Sequence, residues 1–380
     1  MDRKLLILFL LMTGTASQAW SQQRLRAREY GIRIGVLPTG INNAITDVAG
    51  VRVSHITLRE GNDIRTGVTA ILPHEGNVFQ EKVPAAVYVG NGFGKLAGTT
   101  QVQELGNLET PIILTNTLGV GTALNAVVGY VLQQPGNEQV QSVNAVVGET
   151  NHGYLNDIRG RHITEAHVRD ALQQARGGEV AEGNVGAGTG TVCFGFKGGI
   201  GTSSRRLPDA MGGYTVGVLV QTNFGGVLQI DGAPVGEELK QYFGSQHIKD
   251  SADGSCMIIV ATDAPVDARN LERMAKRGIM GLAKTGGIAS NGSGDYVVAF
   301  SSHPGLRVPY ESKAKTKTVT LLRNEEMSPL FMAVIEATEE AIINSIFKAE
   351  TTEGKEQHVV EALPLDKVIR ILKQYRVIRK

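Results

Sequence analysis

Cysteine is nearly absent. Cys193 and Cys256 are the only two in 380 residues, too few for a disulfide framework. The eight histidines are scattered, with no HExxH and no CxxC spacing, so the sequence indicates no metal site and no cofactor. Aromatic residues make up only 5 %, which argues against a sugar-binding groove lined by rings. Neither sign of charge predominates: 38 basic side chains face 37 acidic ones, for a net charge of +1. No field exists to attract nucleic acid or an anionic membrane. Past the first dozen residues, no apolar run approaches the roughly 20 residues that a membrane span needs.

Glycine is abundant, 47 of 380, well above the ordinary share of about 7 %. With 42 % hydrophobic and 20 % charged residues, the composition is that of a folded core with many tight turns. The start reads as a leader. Arg3 and Lys4 precede the apolar run Leu5 to Met12, which is short for a span. Small and polar residues follow to Ser21. That layout is expected of a secretory signal peptide over 1–21, removed after Ala19 or Ser21. It leaves a soluble mature chain, 22–380, in the periplasm or outside, with no membrane association.

Strands are expected at Gly31 to Leu37, Val51 to Leu58, Val68 to Leu72, Ala85 to Val89, Pro111 to Asn116 and Val143 to Val147. Further strands are expected at Thr191 to Phe196, Tyr214 to Gln221, Cys256 to Ala261, Tyr296 to Ser301 and Thr316 to Leu322. Helical periodicity marks Val120 to Leu132, Ile163 to Arg176, Leu271 to Lys284, Pro329 to Ala349 and Leu365 to Tyr375. Ser328 is placed to cap the fourth, whose face runs Phe331, Ile335, Thr338, Ile342. The βαβ rhythm is not kept, so an α/β fold with a mixed sheet or two packed sheets in one contiguous domain is expected.

The segment Asp253-Gly254-Ser255-Cys256, at the end of a polar loop-like stretch from Ser245, leads straight into a buried strand. Taken locally it is a turn. A Ser after a Gly can also attack its own preceding carbonyl, because Gly tolerates strained backbone. Hydrolysis of the ester would free an α-amine with an ordinary pKa of about 7.7–8.0, which combines a nucleophile and a base in one residue. Gly286 to Asp295 is Gly-rich but follows a helix and lacks the P-loop lysine. Within it Ser293 and Asp295 are two apart and share a face if extended. Asn223, just past a strand, is placed to donate to an oxyanion. Tyr154, in the polar stretch Gly148 to Asp157, could polarise a carbonyl, and Asn151 lies in the same stretch. Gly186 to Gly201 reads as sheet and turn.

Together GETNHGYLNDIR, VGVLVQTNFG, DGSCMIIVATDAP, AKTGGIASNGSGD and SPLFMAVIEATEEAIINS resemble the DmpA family of L-aminopeptidase/D-esterases and β-peptidyl aminopeptidases. The resemblance implies an N-terminal-nucleophile hydrolase with a four-layer α/β/β/α sandwich, of the type shared with ornithine acetyltransferase. It implies self-cleavage at Gly254–Ser255 into a large chain, 22–254, and a small chain, 255–380. Ser255 would then be the nucleophile, Asn223 an oxyanion donor, and Tyr154 and Asn151 substrate-binding residues. Ser293 and Asp295 would sit beside the nucleophile; the family carries Glu where this chain has Asp295. Substrates would be short peptides, amides or esters with a free amine, whose ammonium Asp295 could attract. The active form would be a homo-oligomer of cleaved heterodimers. Two other readings stand beside this one: an acyltransferase with Thr262 as nucleophile, and an exported binding protein whose Gly-rich loops hold a small ligand.

Overall fold

The computed structural model describes residues 24–245 and 254–378. In chain order the strands are β1 (Arg52–Glu60), β2 (Ile64–Leu72), β3 (Glu81–Gly92), β4 (Leu96–Ala97), β5 (Asn107–Leu108), β6 (Ile112–Asn116), β7 (Val146–Thr150), β8 (Val192–Cys193), β9 (Phe196–Lys197), β10 (Ile200–Arg206), β11 (Thr215–Asn223), β12 (Ser255–Thr262), β13 (Gly294–Ser301), β14 (Val308–Pro309), β15 (Thr352–Glu353) and β16 (Val359–Val360). The helices are α1 (Thr99–Leu105), α2 (Val120–Leu132), α3 (Glu165–Gln174), α4 (Val235–Glu238), α5 (Ala268–Lys284), α6 (Ser328–Phe347) and α7 (Leu365–Gln374).

Two sheets carry the architecture. One runs β1-β2-β6-β7-β4; the other runs β10-β11-β12-β13-β3-β14, with β5 also paired to β3. Strand alternation sorts their side chains between layers. Along β12, Met257, Ile259 and Ala261 join Ile71, Leu114 and Val146 of the first sheet in the core between the sheets. Cys256, Ile258 and Val260 point the other way, into a core shared with Leu271 and Met274 of α5 and Val334 and Ala337 of α6. On the outer face of the first sheet, Val68, Ile113 and Val147 pack on Ala123 and Val127 of α2 and Val168 of α3. The result is the expected order of helix, sheet, sheet, helix. Fully burying each branched side chain contributes about 1.5–3 kcal/mol, so continuous runs such as Ile258-Ile259-Val260 commit β12 to the centre. Gly148 lets the sheets close: a Cβ there would lie 2.8 Å from Met257 Sδ and 3.1 Å from Leu114 Cδ2.

Several local expectations are corrected. Gly31 to Leu37 forms no strand, because the Glu336 carboxylate takes the N–H groups of Val36 (2.9 Å) and Leu37 (3.1 Å) that a ladder would need. Thr316 to Leu322 forms no strand and is exposed up to Leu321, with Leu322 half-buried. Its apolar alternation meets no neighbouring strand, and Leu322 N bonds Pro265 O instead. Thr191 to Phe196 is broken by Phe194 (φ 53°) and Gly195 (φ 77°), which fold it into the β8–β9 hairpin. Ser328 is the first residue of α6 rather than its cap; the cap position is Met327, already helical. From Glu336 onward α6 is buried on all sides rather than along one stripe. Its buried carboxylates are matched by cations: Arg205, fully buried, meets Glu336 at 3.0 Å and Glu340 at 2.7 Å, and Arg28 meets Glu340 at 2.7 Å. The expected leader, 1–21, and most of the polar stretch before Gly254 lie outside the described residues.

Candidate active site

Ser255 opens β12 in the middle of the second sheet. Its register partners are Asn223, the last residue of the antiparallel neighbour β11, and Gly294, the first residue of the parallel neighbour β13. Three strand ends therefore converge on one residue. The Gly294 N–H is shared between the Gly254 carbonyl oxygen and Ser255 Oγ, at 3.2 Å each. A serine hydroxyl and the carbonyl of its own preceding peptide bond thus share one donor. Gly254 has no room for a side chain, since a Cβ would lie 1.8 Å from the Asn223 carbonyl oxygen and 2.8 Å from Phe224 Cα.

Asn223 is oriented unambiguously. Its side chain accepts from Val192 N at 2.9 Å. A backbone N–H only donates, so the atom facing it is Oδ1, and the NH2 is left as a donor toward the cavity.

A cavity of about 690 Å³ opens over these residues, lined by Gly254, Ser255, Asn223, Phe224, Val192, Gly195, Gly292, Asn151, Tyr154, Glu149, Thr117, Lys95 and Phe93, among others. Tyr154 is 53 % exposed and stacks on His358, with ring centroids 4.3 Å apart. Asn151 Oδ1 accepts from Gly153 N at 2.8 Å. The hairpin β15–β16 closes one wall with Val359, Val360 and the following Glu361.

Ser293 and Asp295 flank Gly294, but neither lines the cavity. Asp295 belongs to the alternation of Val297 and Ala299, which face the helix-side core, whereas Ser255 shares the parity of Met257 and faces the other sheet. The Asp295 carboxyl is pushed up to about 6, mainly by burial; the Ser293 hydroxyl and the Cys256 amide temper the rise. Neither meets the geometry of a full hydrogen bond. Ser293 Oγ and both Asp295 carboxylate oxygens find no such partner among the described residues.

The buried carboxylate that does line the cavity, beside the exposed Glu361 of its wall, is Glu149, which carries no role in the expectations from sequence. It is buried; its Oε1 accepts from Lys95 N at 3.0 Å, and its Oε2 accepts from the Thr117 hydroxyl. Lys95 Nζ stands 3.9 Å away. Burial raises its pKa, against the Thr117 hydroxyl and the Lys95 amide and charge. The available signal was a lone Glu in an otherwise apolar strand, Val146 to Thr150. The backbone donors of Val192 and Gly294 carried no signal at all.

Other reactive side chains are placed out of play. His152 is fully buried on Thr66 Oγ1 (3.1 Å), and burial pulls it down to about 3, so it stays neutral and is not a base. Cys256 packs in the helix-side core, its thiol held well above the ordinary value by burial and then by Asp295, hence unreactive. Thr262, the alternative nucleophile, is at the far end of β12, fully buried, with its hydroxyl donating to Thr215 O (2.8 Å) and accepting from Ala264 N (3.1 Å).

Residues 43–360 match Peptidase family S58. The β-peptidyl aminopeptidase BapA of Sphingosinicella microcystinivorans is 40 % identical over 391 residues, covering 97 % of this chain and 96 % of that one. The solved PH0078 protein of Pyrococcus horikoshii OT3 superposes with a TM-score of 0.86 at 48 % identity, over 93 % of this chain and 99 % of that one. The L-aminopeptidase D-Ala-esterase/amidase of Ochrobactrum anthropi, a prototype for the serine aminopeptidases with a variant Ntn hydrolase fold, superposes with a TM-score of 0.85 at 35 % identity, over 93 % and 99 % of the two chains. With a layered sandwich that matches those structures and a serine at the convergence of three strand ends, the chain belongs to peptidase family S58 and is a serine aminopeptidase of the N-terminal-nucleophile type.

Proposed function

We propose that the chain cuts itself between Gly254 and Ser255 and then uses Ser255 to release the N-terminal residue of short peptides, amides or esters bearing a free amine. The single observation that carries this is the Gly294 N–H shared by the Gly254 carbonyl and Ser255 Oγ. In the uncut chain Oγ attacks the Gly254 carbonyl carbon while Gly294 N–H holds the developing oxyanion. The C–N bond breaks, the nitrogen takes the hydroxyl proton, and an ester on Ser255 results. Water hydrolyses the ester to a Gly254 carboxylate and a free Ser255 α-amine. The products are a large chain, 22–254, and a small chain, 255–380.

The buried Ser293 hydroxyl and Asp295 carboxylate, without a full hydrogen bond among the described residues, flank the residue bonded to Ser255. In the proposed cycle they relay a proton to and from the new amine. In turnover that amine takes the Oγ proton, Oγ attacks the substrate carbonyl, and the Asn223 NH2 donates to the oxyanion. The leaving amine departs with the proton, and water frees the acyl group. Glu149, rather than Asp295, receives the substrate ammonium: it lines the cavity and its buried carboxylate gains a cation. Tyr154 and Asn151 form the rim against the substrate. A cavity of about 690 Å³ exceeds a single residue, consistent with acceptance of β-, D- and α-residues alike, as the named activities of BapA and of the Ochrobactrum enzyme suggest.

We further propose export, from the leader-like start, and assembly of the cleaved heterodimers into a homo-oligomer, to which the fully exposed Ile41 and largely exposed Val36 lend support. A panel of p-nitroanilides tests the activity: β-alanyl, L-alanyl and D-alanyl compounds are hydrolysed, and the N-acetylated ones are not. Hydrolysis of the acetylated compounds at a similar rate would remove the ammonium site from the proposal.

A further inference from the structure

The Gly-rich stretch from Gly186 to Gly201 hides an unusual side chain. Lys197 is fully buried. Its amino group donates to two main-chain carbonyls, Gly188 O at 2.9 Å and Gly198 O at 2.7 Å, and pairs with no carboxylate among the described residues. A buried lysine is costly unless its amino group is hydrogen-bonded, and here two main-chain carbonyls carry that role. Burial, with the charge of Arg59 added, pulls it well below the ordinary lysine value.

The two carbonyls lie at the two ends of one loop. Between them run Thr189 to Lys197, including the β8–β9 hairpin. Its tip is strained, with Phe194 in the left-handed region at φ 53°. Phe194 N donates to Phe224 O at 2.8 Å, and the two rings meet edge-on at 5.0 Å. Gly195 lines the cavity. Most important, this loop supplies the Val192 N–H that fixes the Asn223 carboxamide at 2.9 Å. A strained loop holds one geometry only where its surroundings over-determine it.

We infer that Lys197 is a positioning residue for the Asn223 carboxamide, its amino group tying together the two ends of the loop whose Val192 N–H orients that side chain. The inference rests on the reading of Asn223 as the oxyanion donor. Lys197 does not touch the substrate; it acts through Val192. Replacing it with methionine keeps length and packing but leaves the Gly198 carbonyl without that bond and the Gly188 carbonyl with the Thr191 hydroxyl alone, at 3.0 Å. The loop relaxes, and the NH2 of Asn223 drifts from the place where the oxyanion forms. A misplacement of about 1 Å costs on the order of 10²-fold in turnover, so Lys197→Met is expected to lower kcat roughly ten- to hundredfold with KM little changed.

The test is a double-mutant cycle of Lys197→Met and Asn223→Ala, with rates normalised to the chain cut before Ser255. A control cycle pairs Lys197→Met with Glu149→Gln. If Lys197 acts through Asn223, the Lys197/Asn223 double variant is no slower than Asn223→Ala alone, while the control pair multiplies. If the Lys197 and Asn223 effects multiply instead, or if Lys197→Met keeps wild-type kcat, the inference is overturned. Should Asn223→Ala itself leave kcat unchanged, the oxyanion reading fails, a distinct result that also removes the inference. If Lys197→Met does not fold or stays uncut, two substitutes apply. Lys197→Gln, one bond shorter, keeps an N–H donor but cannot hold both carbonyls, and enters the same cycle with the same two outcomes. The Asn223 side-chain amide resonance, identified by its loss in Asn223→Ala, is also compared between wild type and the Lys197 variant: a shifted pair supports the inference and an unmoved pair overturns it.

Discussion

Replacing Gly254 by alanine isolates the geometry of self-cleavage from that of catalysis. The added Cβ would lie 1.8 Å from the Asn223 carbonyl oxygen, 2.7 Å from its carbon and 2.8 Å from Phe224 Cα. All three are main-chain atoms of a strand end locked in register against β12, so no flexible side chain can yield. The requirement is space, not a left-handed backbone. Restoring ordinary contact at about 3.5 Å demands a shift of about 1.7 Å from the 1.8 Å approach, and the atom that moves is the carbonyl to be attacked. It leaves the 3.2 Å bond to Gly294 N and its approach to Ser255 Oγ. A displacement of that size is worth about 10²-fold, or nearly 3 kcal/mol of barrier. The assay is a time course after cell-free synthesis, following by intact mass the fragment that begins at Ser255. Gly254→Ala is expected to produce it about a hundredfold more slowly than wild type. Because residue 254 is no longer joined to Ser255 after the cut, the fraction that does mature turns over within about twofold of wild type. Cutting at the wild-type rate would refute the reasoning; slow turnover in the matured fraction would show that Gly254 serves the finished site as well.

Other expectations follow from the same geometry. Asn223→Ala loses an oxyanion donor and is expected to lower kcat about 10²–10³-fold with little change in KM, measured on matured enzyme. Glu149→Gln removes a charged hydrogen-bond partner worth about 1.5–3 kcal/mol; kcat/KM for a free-amine substrate should fall roughly tenfold to 150-fold, and the discrimination against the N-acetylated substrate should shrink with it. Asp295 is raised to about 6 in the folded chain, above its unfolded value of about 3.9. The folded state therefore binds more protons between those values, and this residue lowers stability as pH rises through that window. Tested in the uncut Ser255→Ala chain, Asp295→Asn should gain stability relative to its parent as pH goes from 4 to 7, by at most about 3 kcal/mol. A difference in Tm that does not change with pH would contradict the burial argument.

Much of the fold was legible because the chain obeys local rules where burial is one-sided. Val120–Leu132 ends where its apolar face ends, and the strands β1, β2, β6, β11, β12 and β13 lie where β-branched runs are broken by turn residues. Legibility failed where a distant partner decided the outcome. Gly31 to Leu37 looked like a strand until Glu336, some 300 residues away, took its amides. Thr316 to Leu322 has strand composition but no edge to join. Conversely, β10 (Ile200–Arg206) was obscured by polar residues that are buried because Ser203 donates to Ala337 O and Arg205 meets two carboxylates. At the site, Ser255 and Asn223 could be picked out as side chains next to strands. Their meeting came only with the family resemblance, because the residues alone do not give the register between β11 and β12. Alternation placed Ser293 and Asp295 on a common face, yet which face that was followed only from the second sheet. Glu149 went unassigned because a buried carboxylate acquires meaning only beside the cavity it faces.

The measurement that bears most directly on the central claim is intact-mass spectrometry with N-terminal sequencing of the purified protein beside its Ser255→Ala variant. The account expects two wild-type fragments, the smaller beginning Ser-Cys-Met-Ile, and an uncut variant without peptidase activity. A single intact wild-type chain that hydrolyses β-alanyl or L-alanyl p-nitroanilide, or a Ser255→Ala variant that still cuts at this bond, would contradict it.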